Sequence, residues 1–94
     1  MNSVTFTLPE EKNIELYRQL LNSYGIKRAK TNEENENEII LSYPNGILGD
    51  VELHAYISKK KQAPKVIIIG EHPAINHTKL NLEILVGGKL QPQL

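Results

Sequence analysis

Lys65–Gly70, which reads Lys-Val-Ile-Ile-Ile-Gly, constrains this chain more than any other stretch. Four consecutive apolar residues, three of them isoleucine, stand between the turn-like Gln62-Ala63-Pro64 and Gly70. A run this short and this apolar predicts a strand buried on both faces, at the middle of a sheet. The rest of the chain then has to cover it.

Other elements follow from periodicity and punctuation. Val4, Phe6 and Leu8 alternate with Ser3, Thr5 and Thr7, the pattern of a half-buried strand. Pro9-Glu10-Glu11 opens a helix, because proline has no N–H to leave unpaired and glutamate suits the positive end of the helix dipole. Ile14, Tyr17, Leu20, Leu21 and Tyr24 form one apolar stripe at helical spacing, flanked by Leu16, and Gly25 supplies a left-handed stop. Thr31–Glu38 is polar and acidic with no apolar period, and reads as a solvated loop. Ile39–Tyr43 is a short strand, Pro44-Asn45-Gly46 a turn, and Gly49 a bend. Val51, Leu53, Ala55 and Ile57 alternate with Glu52, His54, Tyr56 and Ser58, a strand with one wet face. Lys59–Pro64 turns the chain into the central strand. Glu71–Thr78 reads as a loop, and Leu80, Leu82, Ile84 and Val86 as a last alternating strand.

The pattern predicts one α+β domain over residues 1–86 and a flexible C-terminal tail over 87–94. The element order is β-α-β-β-β-β: one amphipathic helix on one face of a mostly antiparallel sheet of about five strands. That order resembles one half of a TATA-binding-type saddle, with Lys65–Gly70 as the closing Lys-apolar-Gly strand. The resemblance covers topology only, and the second helix of that unit has no clear equivalent in the sequence.

One helix covers one sheet face. Val4, Phe6, Leu8, Ile39, Leu41, Val51, Leu53, Leu82 and Ile84 are expected beneath it. Strict alternation points Ile40, Tyr56 and Leu85 the other way, with either Val66 and Ile68 or Ile67 and Ile69 of the central strand. The second pair is taken with the other three as an interface of Ile40, Tyr56, Ile67, Ile69 and Leu85. Burying a large apolar side chain contributes ~1.5–3 kcal/mol, so five give a gross figure on the order of 10 kcal/mol per chain. That is comparable to the ~4–15 kcal/mol that association costs. A face of this kind predicts a small non-catalytic interaction protein, a homodimer or a docking surface for another protein.

Charge and composition narrow the alternatives. The 11 basic and 11 acidic residues cancel, so net charge points to no particular partner. Local clusters do exist: Lys59, Lys60, Lys61 and Lys65 at one turn, and Lys27, Arg28 and Lys30 earlier. Brought to one end of the sheet, they would suit a nucleic-acid backbone, with Tyr56 or His54 stacking on bases. Lysines at a hairpin and sheet edge also serve simply to discourage aggregation.

His72 and His77, five apart and beside Glu71, are candidate metal or catalytic residues, although their spacing matches no standard metal motif. GxSxG, HExxH and phosphate-binding glycine-rich patterns are absent, and no cofactor is implied. The chain has no cysteine, no apolar run near the ~20 residues of a membrane span, and no signal-peptide pattern at Met1–Thr5. These features lead to the expectation of a cytoplasmic protein.

Overall fold

A computed structural model describes residues 1–20, 22, 28–31, 37–43, 48–57 and 63–93 of the chain. Lys65–Gly70 forms a strand (β5) with a partner on each side. Asn2–Thr7 (β1) pairs with it antiparallel, as does Val51–Ile57 (β4). Asn37–Tyr43 (β3) pairs with β4, and Arg28–Thr31 (β2) with β3. Gln91–Pro92 (β6) adds two residues at the outer edge of β1. The order across the sheet is β2-β3-β4-β5-β1-β6, and every pairing is antiparallel. Short links explain the β3-β4-β5 run, because consecutive strands joined by few residues can only return beside one another.

The helices are Asn13–Gln19 (α1), entered through a 3₁₀ turn at Glu10–Lys12, and His72–Val86 (α2). The architecture is α+β: an antiparallel sheet with one main helix, α2, on one of its faces and a short helix near the N-terminus. Alternation along the strands decides which face is covered. On β4, Val51, Leu53, Ala55 and Ile57 are buried, and on β5, Val66, Ile68 and Gly70. The register places Leu53 and Val4 on either side of Ile68, and Ala55 and Phe6 on either side of Val66. These residues form one cluster with Leu16 and Leu20, and with Ala74, Ile75, Leu82 and Val86 of α2. Both helices therefore pack on the same face. The central strand holds the expected position in the sheet, but its cover is one-sided.

Four expectations are corrected. First, Glu71–Val86 is not a loop and a strand: His72–Val86 is helical, and the sheet gains the four-residue β2 in place of Leu80–Val86. Leu80, Leu82, Ile84 and Val86 satisfy a period of 2, yet Ala74, Ile75, Thr78, Leu82 and Val86 satisfy 3.6 over a longer span. Pro73 suits the first turn, and Gly87 at φ 66 closes the helix. The N–H groups of Gly87 and Gly88 donate to the Glu83 carbonyl at 2.9 and 3.3 Å. Leu82 is buried as expected, but from the helix, and Ile84 is 80% exposed.

Second, α1 turns a different side inward. Leu16, Leu20 and Asn13 are buried, while Ile14 is 72% exposed and Tyr17 lies largely outside the core. Leu21, Tyr24 and Gly25, the rest of the expected stripe and its stop, lie outside the described residues.

Third, the expected Thr31–Glu38 loop is strand at both ends: Thr31 closes Arg28–Thr31, and Asn37 and Glu38 open β3, while 32–36 lie outside the described residues. The strand Arg28–Thr31 reads Arg-Ala-Lys-Thr and has no apolar alternation to announce it.

Fourth, residues 87–93 are tied to the fold. Leu90 is buried, and its N–H donates to Glu83 Oε2 at 2.9 Å. Gln93 N–H donates to the Thr5 carbonyl at 2.8 Å, continuing the pairing of Gln91 and Pro92 with Thr7 and Phe6. A two-residue strand ending in proline is a common way to blunt a sheet edge.

Candidate functional site: the open sheet face

The face turned away from the helices is built by the odd member of each alternating pair. Three cross-strand rows can be traced through the register. Thr5, Ile67, His54 and Ile40 form the middle row; Thr7, Lys65 and Tyr56 lie toward one end, and Ser3, Ile69 and Glu52 toward the other. Ile40, Ile67, Ile69, Tyr56, His54, Glu52, Thr5 and Thr7 are all half-buried, and Lys65 and Ser3 are exposed. Half-burial is what neighbouring side chains on a flat sheet give one another without a covering layer. Among the described residues, no element crosses this face: the strands build it and both helices belong to the other side.

Ile40, Ile67 and Ile69 stand among polar neighbours rather than in one apolar block. Ile67 stands between Thr5 and His54, and Ile69 between Ser3 and Glu52. Along β4, His54 Nε2 hydrogen-bonds Glu52 Oε1, a pair two residues apart on one side of the strand. That contact fixes the imidazole against the sheet and keeps the carboxylate at the Ile69 end. The opposite end carries the ammonium group of Lys65 beside Tyr56. The register continues this row through Glu38, opposite Tyr56, to Lys30, so positions of both signs of charge lie at the Lys65 end.

No protein family, no curated protein and no solved structure matches this chain. The face has to be interpreted from its own chemistry.

Of the residues expected at an interface, Ile40, Tyr56, Ile67 and Ile69 come together on this face. Leu85 does not, because it belongs to α2 on the covered side. The choice between the two pairs of β5 is settled by burial: Val66 and Ile68 face the core, Ile67 and Ile69 the open side.

Of the basic residues, Lys65 reaches the face, and the β2 register sets Arg28 opposite Ile40 and Lys30 opposite Glu38. Lys27, Lys59, Lys60 and Lys61 lie outside the described residues. His72 and His77 sit on α2, both exposed. Five residues turn an α-helix through 500°, so the two rings leave the axis about 140° apart. Among the described residues, no three His, Asp or Glu side chains converge as metal ligands. No described helix is long and apolar enough to cross a membrane.

One feature of the surface escaped the sequence pattern. Leu80 and Ile84 are 57% and 80% exposed on the outer side of α2. They line an open groove of about 400 Å³ with Glu83, Gly87, Gly88 and Lys89. Their helical phase, opposite to Leu82 and Val86, becomes readable only once the segment is known to be a helix.

Proposed function

We propose that this chain is a small non-catalytic interaction protein whose working surface is the open sheet face, which takes a protein partner. One observation carries the reading: α1 and α2 bury their apolar residues on the same side of the sheet, and among the described residues no layer covers Ile40, Ile67, Ile69 and Tyr56 across three adjacent strands. Half-buried already, each gains about 1 kcal/mol from full burial, or roughly 4 kcal/mol per chain. That is less than five fully exposed residues would supply, and it sits at the lower bound of the ~4–15 kcal/mol cost of association. A modest affinity follows. The cysteine-free sequence favours a reducing, cytoplasmic setting for this interaction.

A photo-crosslinking side chain at position 67, placed in cells, tests the reading. The expected product is one or a few discrete protein adducts, with none from the same probe at Ile84 on the outer side of α2. Absence of adducts from position 67, or the same adducts from both positions, would contradict it.

A second reading has one observation in its favour: Tyr56, His54 and Lys65 share this face, a combination suited to stacking on bases beside a phosphate. Nuclease-sensitive adducts from position 67, together with a gel shift at low salt that disappears at moderate salt, would replace the protein partner with a nucleic acid.

A further inference from the structure

We infer that the outer edge of β1 is a second docking surface, one that takes an extended strand of another polypeptide, and that residues 91–93 are a displaceable guard over it. The inference goes beyond the open-face reading and does not depend on it.

The first observation is how the guard is fastened. Its root is held firmly. Leu90 is buried, its N–H donates to Glu83 Oε2 at 2.9 Å, and the N–H groups of Gly87 and Gly88 donate to the Glu83 carbonyl. Beyond that root, Gln91, Pro92 and Gln93 are all exposed. Gln91 and Pro92 pair with Thr7 and Phe6, Thr7 Oγ1 donates to the Gln91 carbonyl at 3.5 Å, and Gln93 N–H donates to the Thr5 carbonyl at 2.8 Å. Solvent-exposed hydrogen bonds with little apolar burial behind them are the first to open. The tip of the guard therefore opens while its root and the core stay closed.

The second observation is what lies beneath the guard. The bond from Gln93 shows that Thr5 turns its backbone groups outward. These groups alternate sides along an antiparallel strand, so Ser3 and Thr7 turn theirs outward too. Among the described residues, no strand pairs with Ser3 on this side. A row of N–H and C=O groups recurring every second residue is matched by another extended backbone, and this selects the occupant. A strand antiparallel to β1, as β6 is, and running from Thr7 past Ser3 engages three outward residues where the guard engages two, Thr7 and Thr5. On the helix side it flanks Phe6 and the half-buried Val4, which packs against the core. On the other side it flanks Ser3, Thr5 and Thr7. The partner is thus an alternating segment, apolar opposite Val4 and Phe6 and small or polar opposite the other three.

The probe is a synthetic peptide, Thr-Val-Thr-Val-Thr with a lysine at each end, titrated into the whole chain by calorimetry. The chain is expected to bind it with a dissociation constant below about 1 mM. Gln93→Pro removes the N–H that Thr5 holds and should bind at least about fivefold more tightly, because the guard then covers the edge for less of the time. Thr5→Cys combined with Gln93→Cys fastens the guard, since directly paired residues have Cα atoms ~5.5 Å apart, within reach of a disulfide. The oxidised form should bind at least about tenfold more weakly than its reduced form. Recovery on reduction also shows that the doubly substituted chain is folded. The same peptide N-methylated at its central threonine lacks the N–H that meets the Thr5 carbonyl and is expected not to bind.

Four results each overturn the inference: no binding by the chain below about 1 mM, a Gln93→Pro affinity no tighter than that of the chain, equal binding by oxidised and reduced forms, or binding that survives N-methylation.

Discussion

Leu82→Ala is expected to destabilise the protein by about 2–5 kcal/mol, whereas Ile84→Ala is expected to change stability by less than about 0.5 kcal/mol. The contrast comes from the helix. Leu82 is fully buried against the sheet and Ile84 is 80% exposed, although only one residue separates them. On a strand, positions two apart share a face and would lose stability together. On a helix they diverge by about 200°. A domain of this size has roughly 5–15 kcal/mol of stability in total, so the Leu82 variant should shift its urea midpoint by a large fraction. Equal losses at 82 and 84 would return the segment to a strand and remove α2 from the account.

Leu90→Asp is expected to cost about 3–5 kcal/mol, through the lost burial of leucine and the desolvation of a carboxylate in its place. Leu90 is 2% exposed, and its N–H is held by Glu83 Oε2 from within α2. The following residues then pair with β1, where Gln93 N–H reaches the Thr5 carbonyl. Removing the Leu90 anchor should therefore free this edge as well. Urea unfolding measures the first effect, and hydrogen exchange at the Gln93 amide the second. A loose tail predicts neither: the substitution would then be neutral within about 0.5 kcal/mol, as at other exposed positions.

The strands that were legible in the sequence are those whose burial is one-sided and regular. Val51 to Ile57 alternates without a break, and the observed burial follows it residue by residue. Val66 to Ile69 reads as buried on both faces because all four residues are apolar, although only Val66 and Ile68 reach the core. Composition cannot distinguish a covered face from one kept apolar and open. The segment Leu80–Val86 failed for a different reason. Leu-Asn-Leu-Glu-Ile-Leu-Val satisfies both periods over so short a window, and the deciding residues, Ala74, Ile75 and Thr78, lie upstream of it. β2 and β6 carried no signal: Arg-Ala-Lys-Thr and Gln-Pro gain their strand geometry from the neighbours they pair with.

Four of the five expected interface residues nevertheless come together, because register depends on alternation within β3, β4 and β5, which the sequence displays. Leu85 follows the helical period of α2 and so lies away from this face.

The central claim is that both helices shelter one side of the sheet and leave the other open. The chain has no cysteine, so a single introduced thiol reports on one position at a time. Ile67→Cys and Ile68→Cys are adjacent on β5 and point to opposite faces. Their labelling rates in dilute, folded protein, each compared with the same variant unfolded in urea, test the claim most directly. The thiol at 67 should react within about tenfold of its unfolded rate, and the thiol at 68 at least a hundredfold more slowly than its own, roughly the protection of a packed core. Comparable strong protection at both positions would mean that the chain covers both sides of its own sheet, and would contradict the account.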